Sequence, residues 1–228
     1  LFFQGYYEKW VIDIMKKLID KDGIAMDIGA NIGTHTLIMG KLVGQNGRVL
    51  AFDPDPSSAE RLIININLNN FQNIKIFKIG LSDKSGQTAL YSPSNALTDK
   101  GTASLYELPK LDKLKNNVVI STIDEVVAQE KLSRLDFVKI DTRGSDLPII
   151  RGSVDSINKF RPSVVFEYNF DNWSNSKSTW EEAQSFFAKK DYYLYLVFKD
   201  GLYRLEGKIG SDTSYNVLAV PKEKLYKI

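Results

Sequence analysis

Short apolar runs that alternate with segments of helical period constrain this chain more than any other feature. "GIAMDIG" reads as a short buried strand, "THTLIMGKLVG" as a helix closed by Gly44, and "RVLAFD" as a second buried strand. That is one βαβ unit, because a strand covered by helices on both faces is apolar along its length instead of alternating. The pattern continues with a helix over 58–69, strands over 74–79, 135–141 and 163–168, and a helix over 179–189. Ahead of it, "YYEKWVIDIMKKLID" sets Trp10, Val11, Ile14, Met15, Leu18 and Ile19 at helical spacing, and Gly23 ends the segment. Repeated βα units predict an α/β fold with a mostly parallel sheet and helices on both faces. The tail departs from this: Asp200-Gly201 between the apolar runs of "YYLYLVFKDGLYRL" signals a hairpin, and "YNVLAVP" is a last strand, so the sheet should carry an antiparallel C-terminal edge.

The chain has 228 residues, 43% hydrophobic and 25% charged, which suits a packed globular core. "LFFQG" (1–5) reads as an expression-tag remnant, which leaves 6–228 as one domain, with a domain cut from a longer protein as the alternative to a whole chain. Residues 92–117, rich in small and polar types, exceed the usual length of a connection and predict a lid or a disordered loop. Thirty basic against 28 acidic residues give no bulk charge to draw a nucleic acid. Asp, Lys or Asn interrupts every apolar run short of the roughly 20 residues of a membrane span. The absence of cysteine excludes disulfides, thiolate metal sites and a cysteine nucleophile, and fits a cytoplasmic setting.

In a doubly wound sheet a ligand sits beyond the carboxyl ends of the strands, where backbone N–H groups at a helix start point outward. "AMDIGANIGTHT" supplies that turn. Gly29 and Gly33 permit close approach and positive φ, and Asn31 tolerates the left-handed region. The string is D-x-G-x-N-x-G, whereas a nicotinamide fingerprint needs glycine where Asn31 stands. Asp27 would repel a pyrophosphate and suits a cationic ligand group, such as the amine of S-adenosyl-L-methionine. Asp53, ending the second strand, can accept hydrogen bonds from both hydroxyls of a ribose, or else cap the following helix.

"DIGANIGTHT", "AFDPDPSS", "GLSDKSGQTALY", "STIDEVVAQEKLSRLDFVKIDTRGSDLPIIRG" and "PSVVFEYN" together resemble the ordered blocks of the FkbM-type S-adenosylmethionine-dependent methyltransferases, over residues 23–169. The resemblance implies a Rossmann-like class I methyltransferase fold with a seven-stranded sheet, and methyl transfer usually to a hydroxyl oxygen. It also implies that the turn residues Asp27, Gly29, Ala30, Asn31, Gly33 and Thr34 and the strand-end Asp53 bind the cofactor, with Leu81 and Ser82 where the third strand meets the adenine. Three features depart from the family. Asp53 replaces the usual glutamate, Arg143 reverses a charge in a stretch that commonly reads D-V-E-G-x-E, and the tail after Asn169 matches only loosely.

An acceptor site should lie at the ends of the fourth and fifth strands, where apolar runs end in Asp141 and Glu167. An acid so placed is costly unless solvated, paired or used, and pairing with Lys139 or Arg143 is the structural alternative. Glu167 or Asp141 is the candidate general base, and His35, on the first turn of its helix, the third catalytic candidate. Arg143, Asn169 and Ser104 are candidate acceptor contacts. A magnesium ion on Asp141, Glu167 and Asn169 is the alternative to a base, and metal-free catalysis is preferred because no third carboxylate stands at matching spacing. The expected acceptor is a small-molecule or glycan hydroxyl, with an amine acceptor or a cofactor-binding scaffold without turnover as alternatives. Asp124 is expected to cap the helix "EVVAQE".

Overall fold

The computed structural model of the protein describes residues 7–93, 103–107, 113–210 and 214–228. Residues 1–5, read as a tag remnant, lie outside them. Helix α1 (Lys9–Leu18) forms as its spacing requires, burying Val11, Ile14, Met15 and Leu18 along one stripe. The βα units follow: β1 (Ile24–Ile28), α2 (Thr34–Val43), β2 (Arg48–Phe52), α3 (Pro56–Leu68) and β3 (Ile74–Phe77). Next come β4 (Gly80–Leu81), β5 (Gly86–Pro93), β6 (Lys113–Ser121), α4 (Ile123–Gln129), β7 (Phe137–Ile140), α5 (Asp146–Arg151) and α6 (Val154–Phe160). The chain ends with β8 (Ser163–Asn169), α7 (Phe170–Asn175), α8 (Trp180–Ala188), β9 (Tyr192–Phe198), β10 (Gly201–Arg204) and β11 (Ser214–Pro221).

The large sheet runs β10-β9-β11-β8-β7-β1-β2-β3, with β3, β2, β1, β7 and β8 paired in parallel. The class is the one expected, with antiparallel pairing gathered at the C-terminal side. The strand count differs: the hairpin at Asp200-Gly201 adds β10 outside β9, so the described sheet has eight strands instead of seven. The last strand, β11, is antiparallel as expected, and it inserts between β8 and β9.

Buried residues alternate between the two faces of the central strands. Ala25, Val49, Phe137 and Val165 join α1 and α2 in one core, while Met26, Leu50, Val138 and Val164 face α5, α6 and α8 in the other. Two-sided burial is why these strands read as continuous apolar runs. From β1 the chain passes through α2 to β2 on one side, and the strand on the other side, β7, belongs to a later part of the chain. Oppositely directed connections from adjacent strands open a crevice at their carboxyl ends, the switch point where α/β sheets bind ligands.

The expectation of an unordered loop over residues 92–117 does not hold for its described parts. β5 and β6 pair antiparallel from Gly86↔Ile120 to Pro93↔Lys113, and β4 joins β6 in a separate three-stranded sheet. Tyr91 and Ser104 exchange two backbone bonds at 2.8 and 2.9 Å. The Asn and Lys residues of "KLKNNVVIS" mask the strand pattern, because this sheet has a wet face. Residues 94–102 and 108–112 lie outside the described residues. Asp124 is not the cap of α4; Thr122 is, accepting from Glu125 N at 3.1 Å. Asp124 instead accepts from Asp155 N at 3.0 Å and Ser156 N at 2.8 Å, capping α6 from a neighbouring helix. No helix among the described residues is long and apolar enough to cross a membrane.

Candidate active site

The turn after β1 is built by close backbone approach. Gly29 has φ +80°, and a Cβ there would lie 2.0 Å from the Asp141 carbonyl oxygen, so only glycine lets β1 and β7 end side by side. Gly29 N and Ala30 N both donate to Phe52 O at 3.0 Å, which ties the turn to the end of β2. Asn31 takes φ +50° and Gly33 φ +94°; a Cβ on Gly33 would meet Leu62 Cδ1 at 2.4 Å. Gly33 precedes α2 and carries no side chain to cap it, and while the Thr36 backbone bonds to Asp27, the start of the helix at Thr34 opens on the cleft.

Asp53 is not a helix cap. That role belongs to Asp55, which accepts from Ser58 N at 2.9 Å. Asp53 turns toward the crevice and accepts one backbone N–H on each oxygen, from Asn31 at 2.7 Å and Asp55 at 2.9 Å. Burial pushes its carboxyl up to about 6 against the opposing pull of those two bonds, and the charges of Asp55 and Asp27 add to the rise.

Asp27 and Asp141 are joined through Lys139, a lysine on a strand that is otherwise apolar. Lys139 Nζ donates to Asp141 Oδ2 at 2.8 Å and lies 3.9 Å from Asp27 Oδ1. Burial alone would lower the Lys139 ammonium; the charges of Asp141 and Asp27 override it and raise it. Likewise burial works to raise Asp141, and the Lys139 ammonium holds it below its ordinary value. Asp27, only 1% exposed, lies beneath the turn and is not on the cleft wall. Its Oδ2 accepts from Thr36 Oγ1 at 2.5 Å, and its Oδ1 has no hydrogen-bond partner among the described residues. Asp27 therefore supports the turn from below instead of facing a ligand directly.

The opposite wall belongs to β8 and the β7–α5 turn. Glu167 accepts from Ser214 Oγ at 3.0 Å, and burial first, then the nearby Asp141 charge, raises its carboxyl. Asn169 caps α7 through Asn172 N at 2.9 Å and donates to Ser214 Oγ at 2.9 Å. Behind them Asp146 is buried, accepts from Thr142 Oγ1 at 3.1 Å, and is raised well above its ordinary value by burial and by the charges of Glu167 and Asp141. His35 reaches the wall, but burial and then the Lys139 charge push it down to about 3, so it is neutral and a weak base. Its Nε2 faces Glu8 Oε2 at 3.6 Å.

A cavity of about 560 Å³ joins these two walls, within the size range of small-molecule sites. It gathers Gly29, Ala30, Asn31, Thr34, Asp53 and Leu81 on the turn side. On the other side it gathers Asp141, Arg143, Glu167, Asn169 and Ser104. It does not gather Asp27, Gly33 or Ser82. Ser82 is taken up by the small sheet, its N–H donating to Ser121 O at 2.9 Å. The Ser104 hydroxyl is also engaged, donating to Arg143 O at 2.8 Å and accepting from Tyr106 N at 3.0 Å. Sequence reading did not find Tyr7, Thr142, Asn172 or Ser214 on the wall, and no local motif marks them. Among the described residues no three His, Cys, Asp or Glu side chains are gathered to hold a metal ion.

These residues fit a nucleoside with a charged tail: a turn with glycine at its close approaches, a carboxylate beside it that two hydroxyls can reach, apolar Leu81 and Phe52 nearby, and the start of α2 at the cleft. Comparison with known proteins names the class. A family model described as the methyltransferase FkbM domain matches residues 27–194, more than half of the chain. The chain belongs to that family of methyltransferase domains. It is 28% identical over 160 residues to the hexuronic acid methyltransferase AglP of Haloferax volcanii, covering 69% of this chain and 61% of that protein. It is 28% identical over 168 residues to methyltransferase sdnD of Sordaria araneosa, covering 62% of this chain and 64% of that one. The chain thus spans under two thirds of the length of these curated relatives. In fold it is similar to the methyltransferase FkbM from Methylobacillus flagellatus KT, with a TM-score of 0.57 and 14% identity over 87% of this chain and 44% of that one.

Proposed function

We propose that the domain methylates a hydroxyl oxygen of a sugar or similar polyol, with Glu167 as the general base. The observation that carries this reading is the contrast between the two acids of the cleft. Asp141 is neutralised by Lys139 and held low, while Glu167, on the adjacent strand, is raised by burial and by Asp141. A raised carboxylate that remains able to ionise is the better proton acceptor near neutral pH.

When bound, S-adenosylmethionine supplies an electrophilic methyl group on a cationic sulfur. The chain's own residues do the rest. Asp53 would take the ribose hydroxyls, and the 29–34 turn and the start of α2 the polar tail. Glu167 accepts the proton that the acceptor hydroxyl loses as its oxygen gains the methyl carbon. Asn169 and Ser214, held together at 2.9 Å, fix the direction of the Glu167 carboxylate and offer contacts to further hydroxyls. Positioning supplies most of the rate, and the base about 10²- to 10⁴-fold.

The relative that acts on hexuronic acid supports a sugar acceptor. A mass-spectrometric screen of hexoses, hexuronic acids, polyols and amines tests the reading. Gain of one methyl on an alcohol, with release of S-adenosylhomocysteine, is expected. Methylation of amines alone would replace it with an N-methyltransferase, and binding without any turnover would leave a scaffold.

A further inference from the structure

Arg143 stands on a turn clamped from both sides. Ser104 Oγ donates to its carbonyl oxygen at 2.8 Å, and Gly144 N donates to Thr142 O at 2.7 Å. Gly144 has φ +91°, and a Cβ there would lie 2.4 Å from Asn172 O, so the turn is pressed against the start of α7. The backbone is fixed while the side chain is held by no ion pair among the described residues: Arg143 is half-buried, lines the cleft, and acts on Asp141 only through its charge. The other cation on the wall, Lys139, is engaged with Asp141 and Asp27. An arginine held on a rigid turn with its fork free suits a planar oxyanion, which it can grip through two parallel N–H bonds. The next residue, Gly144, packs on Asn172 O, and Asn172 N is held by Asn169 Oδ1, which sets the turn against the β8–α7 side of the cleft, the side that carries Glu167 and Asn169.

We infer that Arg143 reads an oxyanion on the acceptor, a carboxylate or a phosphate, and that the substrate is therefore an acidic sugar. This rests on the reading of the domain as a sugar O-methyltransferase. The guanidinium grips the anionic group and so sets which hydroxyl of the ring faces Glu167.

Turnover on glucuronate, glucuronamide and glucose 1-phosphate, with S-adenosylhomocysteine affinity measured alongside, tests it in the wild type, Arg143→Gln and Arg143→Lys. The wild type should prefer glucuronate, or glucose 1-phosphate, over glucuronamide by about 10- to 100-fold in kcat/KM. Whichever of the two is preferred identifies the anion. Arg143→Gln should erase that ratio, Arg143→Lys should restore part of it, and S-adenosylhomocysteine affinity should change by less than about twofold in both. A merely structural turn residue would lower all three substrates together and overturn the inference. So would loss of S-adenosylhomocysteine affinity with the ratio intact, which would give Arg143 to the cofactor carboxylate. Turnover of glucuronamide equal to that of the acidic sugars would overturn the inference and leave the O-methyltransferase reading standing, whereas methylation of amines alone, or of nothing, would remove both.

Discussion

Lowering the pH from 7 to 5 should weaken S-adenosylhomocysteine binding about tenfold, with Asp53 as the titrating group. In the free protein burial lifts its carboxyl to about 6, against the two backbone N–H bonds and with help from the charges of Asp55 and Asp27. Ribose hydroxyls are donors and need the ionised carboxylate, whose oxygens already accept Asn31 N and Asp55 N. The sign follows. As pH falls through about 6 the free carboxyl takes up a proton, and binding must expel it. The apparent Kd is then multiplied by one plus the ratio of protonated to ionised Asp53, about 1.1 at pH 7 and about 11 at pH 5. Calorimetry across this range, in two buffers of different ionisation enthalpy, reads both the affinity and the proton released. Asp53→Asn is the control: its amide nitrogen cannot accept from one of the two backbone N–H groups, so binding should weaken about 10- to 100-fold and lose the slope between pH 5 and 7. A flat wild-type affinity would refute the reasoning. A slope that survives in Asp53→Asn would move the titration to Glu8 or Glu167, both also raised by burial.

Three other perturbations test separate parts of the account. Glu167→Gln should lower turnover by about 10²-fold or more while calorimetric cofactor affinity stays within about twofold, and EDTA should leave the wild-type rate unchanged; rate lost to EDTA and restored by magnesium would replace the base with a metal. Lys139→Met leaves the buried Asp27 without its cation, and because Asp141 is 39% exposed and can turn to water, the cost in urea unfolding should be near the low end for a broken buried pair, about 3 kcal/mol. A loss under about 1 kcal/mol would show that the charges are not coupled as described. Gly29→Ala combines a positive φ with a 2.0 Å approach to Asp141 O, so it should cost roughly 2–5 kcal/mol in the same assay; wild-type stability would mean that the β1–β7 junction can open.

The parallel part of the sheet was legible because its central strands are buried on both faces, and β1, β2 and β7 run into Gly29, Asp53 and Asp141. The β5–β6 pair was not, since one face is wet and Lys115, Asn116 and Asn117 break the apolar run. On the turn side of the site, Gly29, Asn31 and Asp53 stand where their spacing placed them. Asp27 does not, because a carboxylate one residue before the strand's end points down to Thr36 and Lys139. Of the pair Leu81 and Ser82, Leu81 lines the cavity, and spacing along the chain does not say that the Ser82 N–H is taken by Ser121 in a second sheet. The role of Asp124 at α6 and the pairing of Asp141 with Lys139 depend on which helix or strand lies alongside, and only the packed structure settles that.

The central claim is that the cofactor lies across the 29–34 turn with its ribose on Asp53 and its reactive end toward Glu167. A crystal structure of the domain with S-adenosylhomocysteine tests it most directly. The expected result is two ribose hydroxyl oxygens within about 2.5–3.2 Å of the Asp53 carboxylate and the sulfur facing the side of the cleft that carries Asp141 and Glu167. A nucleoside bound away from Asp53, or a sulfur turned from Glu167, would contradict it.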